Sequence, residues 1–254
     1  MKNEIDVLRD LARRFTQGHI DYMLTGSLAM NYYAQPRMTR DIDVVVDLAA
    51  TDVVDAIFDL FSPDYYVARE AITHAIAHMS VFHLIHHETV IKVDCIIRKK
   101  SDYRRLEFER RRAITIEGFT VWITSKEDLI ISKLDWARDS RSELQLRDIR
   151  NLLATGYHAA YREVDARVRA IRSMAGVPGM NDTSPEIEEL VREMMMKRSG
   201  EERFVMGALM FDAARELIIA SLPQNLSPQE FKQRLFERIY GFPLETVRHN
   251  SHGS

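Results

Sequence analysis

Cysteines, long apolar runs and an excess of charge are scarce or missing in this sequence. Its 254 residues include one cysteine, Cys95, which excludes an internal disulfide framework and a cysteine-based zinc cluster. No apolar run reaches the roughly 18 residues that a membrane helix needs, and the N-terminus has no signal-peptide core. We therefore expect a cytoplasmic protein that does not interact with a membrane.

The charge balance also limits the possible partners. The formal net charge is −3, so the molecule as a whole does not attract polyanions, and any nucleic-acid binding must come from a local patch. The fractions of hydrophobic residues (46%) and charged residues (29%) are those of a globular protein. The length permits one large domain or two ordinary ones.

Helical and strand patterns are mixed in the first two thirds of the chain, and only helical patterns follow. Short apolar runs typical of strands lie at 21–25, 42–46, 81–85, 89–97 and 119–123, and the first helical pattern covers 4–17. We predict an α+β domain over 1–172, a Gly- and Pro-rich linker over 173–185, an all-α module over 186–241 and a tail over 242–254.

The most informative motif is a pair of carboxylates one residue apart. Asp41 and Asp43 open the apolar run Val44–Val46, and a strand directs alternate side chains to one face. The two acids therefore share a face, where like charges repel and raise a pKa. A divalent metal offsets that cost, and Mg²⁺ usually binds one or two carboxylates together with substrate phosphates. The pair indicates phosphoryl or nucleotidyl transfer.

Two further features lie at suggestive positions. Gly26-Ser27 precedes a helical pattern and suits a phosphate at a helix N-terminus, although an ordinary turn has the same composition. Asp94 is a lone acid within an apolar run, on the same strand face as Lys92. It is either a third metal-facing acid or an aspartate bonded to backbone or arginine, because buried carboxylates are rarely unpaired.

Gly26-Ser27, Asp41-Ile42-Asp43 and Asp94, in this order, resemble the nucleotidyltransferase superfamily related to DNA polymerase β. In that family the Gly-Ser turn opens a helix whose amides hold the triphosphate, the paired acids bind two Mg²⁺ ions, and the third acid activates the attacking hydroxyl. The resemblance implies a nucleotidyltransferase-type mixed sheet flanked by helices, Mg²⁺ or Mn²⁺ as cofactor, and an NTP as substrate. It also implies that Asp41, Asp43 and Asp94 are catalytic and hold metal, and that Gly26 and Ser27 bind phosphate.

A later segment resembles one bacterial branch of that superfamily, which includes the abortive-infection (AbiEii-like) toxins. There, a helical lysine and a later Lys/Arg-Asp motif complete the nucleotide pocket. Lys133 matches the lysine, and Arg147-Asp148 match the later motif with arginine where lysine is commoner. The branch implies a toxin–antitoxin context and a tRNA or protein acceptor. An interhelix salt bridge is the alternative for these three residues.

Three functional hypotheses follow. The first is a metal-dependent enzyme that moves an NMP from an NTP to a hydroxyl of tRNA, protein or a small molecule and releases pyrophosphate. The second is a non-catalytic binding protein of the same fold, antitoxin-like or a scaffold. The third is nucleic-acid binding through the basic stretch 98–112, for which a solvated helix face is the plainer interpretation. The module 186–241 is expected to dock on the first domain, on a partner or on a second copy, and Trp122 and Trp136 are expected in the core.

Overall fold

The computed structural model describes residues 2–48, 53–140, 142–155 and 185–249, which form a mixed β-sheet with flanking helices and further helices after it. The strands are β1 Tyr22–Leu24, β2 Asp41–Val46, β3 Tyr65–Tyr66, β4 Val81–His86, β5 Lys92–Ile97, β6 Arg112–Ile116 and β7 Phe119–Ile123. The described helices are α1 Glu4–Gln17, α2 Gly26–Tyr33, α3 Val53–Phe61, α4 Arg69–His78, α5 Asp102–Glu109, α6 Lys126–Ser140, α7 Glu143–Ala154, α8 Pro185–Met196, α9 Gly200–Ala220, α10 Pro228–Tyr240 and α11 Leu244–His249. The predicted α+β class is confirmed.

The seven strands lie in the order β3-β4-β5-β2-β1-β7-β6. The central strand β2 is parallel to β5 and antiparallel to β1, and β1 is parallel to β7. Buried and partly exposed residues alternate along both β2 and β5. As predicted, the side chains of Asp41 and Asp43 therefore lie on one face of the sheet, while Ile42 and Val44 lie in the core.

Helix α1 shows why the sequence pattern gives this packing. The predicted helical pattern over 4–17 has an apolar stripe of Ile5, Leu8, Leu11, Ala12 and Phe15 that is buried throughout, and each large apolar side chain contributes roughly 1.5–3 kcal/mol by leaving water. A capping box closes the N-terminus: Asn3 Oδ1 accepts from the Asp6 N–H at 2.8 Å, and Asp6 Oδ2 accepts from the Asn3 N–H at 3.1 Å. The N-terminal capping box and the buried stripe therefore both stabilise the same helix, α1.

The C-terminal helices pack on the first part of the chain. Helix α9 lies against α2, and at their contact a Cβ on Gly207 would come within 1.9 Å of Asn31 Nδ2. The buried Asn31 amide accepts from the Arg37 N–H at 3.0 Å and donates to the Arg37 carbonyl at 3.1 Å. The contact of α9 with α2 therefore supports the loop that carries Arg37, while docking on a partner or on a second copy stays a prediction.

Several elements differ from the sequence predictions. The two-residue strand β3, helix α4 and strand β6 were not predicted as elements, whereas α5 lies in the charged stretch 98–112 that was interpreted as a solvated helix face. Helix α11 falls within the predicted tail 242–254. The domain boundary at 172 and the linker 173–185 lie outside the described residues, apart from Pro185, so the domain division stays a prediction. Among the described helices, none is long and apolar enough to cross a membrane.

Candidate active site

The acids of the two parallel strands are in register. Asp43 on β2 lies directly opposite Asp94 on β5, and Asp41 lies opposite Lys92. Because adjacent strands are about 5 Å apart, this pairing brings three carboxylates and one ammonium group to the same face of the sheet. The sequence predicted that the three acids meet, and the structure brings them together.

Burial and mutual repulsion act on the two acids of β2. Burial raises the pKa of Asp43 to about 7, and the charges of Asp94 and Asp41 add to the rise, against Lys92. Burial also raises the pKa of Asp41, with Asp94 adding to it and Lys92 opposing it. The strand pair therefore holds more negative charge than its surroundings neutralise, which is the condition for binding a cation.

Asp94 differs from the other two acids because it is bonded by two neighbours. His83 Nδ1 lies 2.8 Å from Asp94 Oδ1, and Lys92 Nζ donates to both carboxylate oxygens at 2.9 Å. Burial alone would raise the pKa of Asp94, but the His83 hydrogen bond and the Lys92 charge outweigh it and lower that pKa. Asp94 is thus the carboxylate held ionised at the centre of the site.

His83 and Lys92 were not predicted as site residues. The signal for both was present in the hairpin: His83 pairs with Asp94 across β4 and β5, and Lys92 is two residues before Asp94 on the same strand face. Lys92 Nζ also lies 3.3 Å from Asp41 Oδ1, close enough for an ion pair although not aligned as a hydrogen bond. One lysine therefore bridges two of the acids.

Gly26 makes the close approach between the first turn of α2 and the acid pair possible. Its φ is +67°, and a Cβ at this position would come within 2.0 Å of Asp43 Oδ2. Only glycine combines that backbone conformation with the absence of a side chain. The Thr25 N–H donates to the Asp43 carbonyl at 2.9 Å and fixes the turn. The N-terminus of α2, with its free amides, consequently lies beside Asp43.

A basic network extends from Ser27 to helix α7. Arg37 donates to both oxygens of Asp148, at 2.8 and 2.7 Å, and to Ser27 Oγ at 2.5 Å. Lys133 Nζ donates to Asp148 Oδ2 at 2.8 Å and to Gln145 Oε1 at 3.0 Å. The predicted residues Ser27, Lys133 and Asp148 therefore meet, joined by an arginine that the sequence interpretation missed.

The three charged groups of this network are buried to different degrees. Asp148 is fully buried, and although burial opposes its ionisation, Arg37 and Lys133 lower its pKa. Burial lowers the pKa of Lys133, against the attraction of Asp148. Two cations share one carboxylate, which leaves an excess of positive charge beside Ser27.

Arg147 is not part of this network. It is exposed on α7 and does not line the cleft described below, whereas its neighbour Asp148 is buried. A helix separates adjacent residues by 100°, so Arg147 and Asp148 cannot both face the same neighbour. Arg37 binds Asp148, and the described structure does not bring Arg147 into the pocket where the sequence predicted it.

Tyr240 on α10 connects the C-terminal helices to the acid strands. Its hydroxyl accepts from the Lys92 N–H at 2.9 Å and donates to the Arg40 carbonyl at 3.1 Å. The segment that leads into β2 is bound to α10 a second time, because Arg40 Nη1 donates to the Ile239 carbonyl at 3.0 Å. One phenol therefore bridges the residue before β2 and the first residue of β5, directly beside the acids, and no sequence motif indicated it.

A cleft of about 200 Å³ connects Asp43 on the acid strands with Ser27 and Lys133 of the basic network. It is lined by Thr25, Gly26, Ser27, Asp43, Ile96, Leu129, Ser132, Lys133, Trp136 and Gln145. Trp122 and Trp136 were both predicted in the core, but they are 40% and 64% exposed. Trp136 lies one helical turn beyond Lys133 on α6, so the turn that binds Asp148 also brings an indole to the cleft.

Five of the six arginines in the basic stretch 98–112 have acidic partners among the described residues. Arg104 pairs with Glu107 at 2.8 Å, Arg110 with Asp128 at 2.5 Å and Arg111 with Asp21 at 2.8 Å. Arg98 and Arg105 likewise have acidic partners. These ion pairs favour the plainer interpretation, a charged and solvated surface.

Comparisons with known proteins find solved structures of low similarity. No family model and no curated protein matches the sequence. Among solved structures, an antigenic nucleotidyltransferase-like protein from Paracoccidioides brasiliensis is 16% identical at a TM-score of 0.44, covering 76% of this chain and 91% of that one. A lincosamide antibiotic adenylyltransferase with lincomycin bound is 19% identical at 0.42, covering 61% and 100%. ANT(2″)-Ia in complex with adenylyl-2″-tobramycin is 13% identical at 0.39, covering 68% and 99%. The abortive-infection branch is not confirmed by these matches.

Proposed function

We propose that this protein is a metal-dependent nucleotidyltransferase that moves an NMP from an NTP to a hydroxyl group. The observation that carries the proposal is the pairing of Asp43 with Asp94 on adjacent parallel strands, with Asp41 beside them and the glycine turn of α2 against Asp43. This arrangement combines clustered carboxylates with helix amides that can bind phosphate, and nucleotidyl transfer needs both.

The residues present fit a divalent metal. Asp41 Oδ1 is buried without a hydrogen-bond partner. Burial and two neighbouring acids raise the pKa of Asp43. No cluster of three or more potential ligand side chains forms among the described residues. Mg²⁺ does not require one, since it usually binds one or two carboxylates plus substrate phosphates and water. When bound to Asp41 and Asp43, Mg²⁺ or Mn²⁺ would stabilise negative charge on the attacking and leaving oxygens.

The basic network suits the triphosphate. The first amides of α2 and the Ser27 hydroxyl can donate to phosphate oxygens, and Lys133 lines the same cleft as Ser27 and Asp43. Arg37 holds Ser27 Oγ and, through Asp148, positions Lys133. Prebuilt donors of this kind stabilise charge without reorganising during the reaction.

Asp94 is suited to accept the proton of the acceptor hydroxyl. His83 and Lys92 hold it ionised and in one orientation. In the proposed reaction the hydroxyl oxygen bonds to the α-phosphorus, the bond from that phosphorus to the bridging oxygen breaks, and pyrophosphate leaves. The hydroxyl proton passes to Asp94. The acceptor, proposed as tRNA, protein or a small molecule, has no recognisable pocket of its own among these residues.

The test is label transfer from each α-³²P-labelled NTP with Mg²⁺ or Mn²⁺, in the presence of total RNA, cell lysate or small hydroxyl compounds. We expect label on one acceptor class, with pyrophosphate released, and no transfer after EDTA or in Asp43→Asn. If NTP binds in a metal-dependent way but transfer never occurs, the non-catalytic binding protein becomes the better description. Absence of metal-dependent NTP binding would refute the enzyme.

A further inference from the structure

The side chains that line the cleft are chemically mixed. Gly26, Ser27 and Asp43 contribute backbone amides and a carboxylate, whereas Ile96 and Trp136 contribute apolar surface. A nucleoside triphosphate has the same mixed character, because its phosphates are charged and its base is flat and largely apolar on both faces. When the amides of α2 bind the triphosphate, the apolar side chains of the lining remain for the base.

Trp136 is placed to form a wall for that base. It lies three residues after Lys133 on α6, which puts both side chains on one side of the helix. Lys133 is buried in its ion pair with Asp148, whereas Trp136 exposes 64% of its surface beside the cleft. A single exposed aromatic residue needs no explanation elsewhere on a surface. Trp136 differs from such a residue because it lies in the lining of the candidate active site.

Gln145 adds a polar group near this indole. Its Oε1 accepts from Lys133 Nζ at 3.0 Å, so the oxygen end of the amide is held toward the lysine. The opposite NH₂ end is then the one that can donate to a ring nitrogen or carbonyl oxygen of a base. All nucleobases carry such acceptors, so this contact orients a base in the cleft without selecting one.

We propose that Trp136 is the stacking platform for the nucleobase of the donor NTP, with Gln145 donating to the edge of that base. The proposal rests on the proposed function only in that the ligand is a nucleoside triphosphate. Stacking strength grows with ring area, so purine nucleotides bind more tightly than pyrimidine nucleotides. By the usual contribution of base–aromatic stacking, removal of the indole weakens NTP binding about 5- to 100-fold.

The chain contains two tryptophans, which allows a direct test in the full-length protein. Trp122 lies on β7 beside Arg111 and does not line the cleft, so Trp122→Phe leaves Trp136 as the fluorophore, and Trp136→Phe leaves Trp122. Each variant is titrated with ATP, GTP, CTP and UTP in Mg²⁺, and with inorganic tripolyphosphate as the probe that lacks a base. We expect saturable quenching by NTPs in Trp122→Phe, little in Trp136→Phe, and none by tripolyphosphate.

Calorimetric titration of Trp136→Leu and Trp136→Phe gives a second measurement. The leucine variant should lose 5- to 100-fold in NTP affinity with tripolyphosphate affinity unchanged, and the phenylalanine variant should recover part of the loss. Wild-type NTP affinity in Trp136→Leu, equal quenching by tripolyphosphate, or no NTP binding by the wild type would each overturn the inference. Trp136-dependent NTP binding without any transfer would instead retain the platform and reject the catalytic proposal.

Discussion

The acid strands and the basic network both contribute side chains to one cleft, and they have opposite charge imbalances. On the strands, the three acids Asp41, Asp43 and Asp94 face one lysine, Lys92. In the network, Arg37 and Lys133 share the single carboxylate of Asp148. Each part lacks the charge that a metal-bound triphosphate would supply. Neither the acid strands nor the basic network therefore defines a function alone, whereas together they match the metal ion and the triphosphate of one ligand.

The two parts also differ in how they are held in place. The acids lie on two hydrogen-bonded strands, so the strand register fixes their spacing. The charged groups of the network come from three separate segments: Arg37 from the loop after α2, Lys133 from helix α6 and Asp148 from helix α7. Their alignment depends on how those segments pack, including the contact of α9 with Asn31 beneath the loop. We therefore expect substitutions to separate metal binding from triphosphate binding.

The largest effect is expected for Asp43→Asn. The amide keeps the shape of the side chain but removes the charge, so we expect Mn²⁺ affinity to fall sharply and kcat to fall about 10³-fold, the loss typical of a group that stabilises transition-state charge. Electron paramagnetic resonance titration of Mn²⁺ and transfer assays measure the two quantities. Asp47→Asn is the matched control, because Asp47 pairs with Arg98 outside the site; wild-type Mn²⁺ affinity in Asp43→Asn would contradict the assignment.

Lys133→Met should affect the other part selectively. Loss of a charged donor weakens phosphate binding by about 1.5–3 kcal/mol, so we expect KM for the NTP to rise about 10- to 100-fold while Mn²⁺ affinity in the absence of nucleotide stays unchanged. Steady-state kinetics and the same Mn²⁺ titration check this. Arg147→Ala, an exposed charge on α7, should behave as the wild type. Equal losses of metal and nucleotide affinity in Lys133→Met would show that the two parts are not separable.

Tyr240→Phe should reduce activity by a smaller factor than Asp43→Asn or Lys133→Met. The change removes only the hydroxyl that bridges the Lys92 N–H and the Arg40 carbonyl, so we expect a loss of about 3- to 10-fold in kcat with little change in KM, together with faster hydrogen exchange at the start of β2 and β5. Tyr65→Phe is the matched control. The buried Tyr65 hydroxyl donates to Asp10 Oδ2 at 2.9 Å, and this hydrogen bond lies away from the site. Each variant loses about 0.5–1.5 kcal/mol of stability, and equal activity in the two would reject a positioning role.

The smallest effect concerns stability and pH. Glu4 is fully buried, and burial, followed by the charges of Asp212 and Asp41, raises its pKa well above the ordinary value of 4.5. The unfolded chain therefore releases this proton before the folded protein does, and the free energy of unfolding falls as pH rises above 4.5. Glu4→Gln removes the titration.

We expect Glu4→Gln to raise the melting temperature at pH 8 by about 2–4 °C for each kcal/mol recovered, and to have little effect at pH 5. Thermal melts of the wild type and the variant across this pH range measure the difference. A variant whose melting temperature decreases with pH as steeply as that of the wild type would show that another group causes the dependence.

Period-2 alternation and a short list of motifs predicted most of the acidic part. A strand over 42–46 and a hairpin ending in 89–97 place Asp41, Asp43 and Asp94 on one face once the strands pair in parallel, because side-chain direction follows directly from residue parity. His83 and Lys92 could have been added by the same rule. The basic part was predicted only in fragments, since Lys133 and Asp148 are far apart in sequence and Arg37 belongs to no motif.

The sequence by itself determined the α+β class, the shared face of the acids and the glycine turn, because alternation, helical period and backbone freedom are local properties. Tertiary structure alone decided the rest. It placed Arg37 rather than Arg147 on Asp148, brought Tyr240 to the start of the acid strands and exposed Trp136 at the cleft. These contacts join residues up to 200 positions apart, and their geometry depends on how whole helices pack against the sheet, which no local pattern specifies.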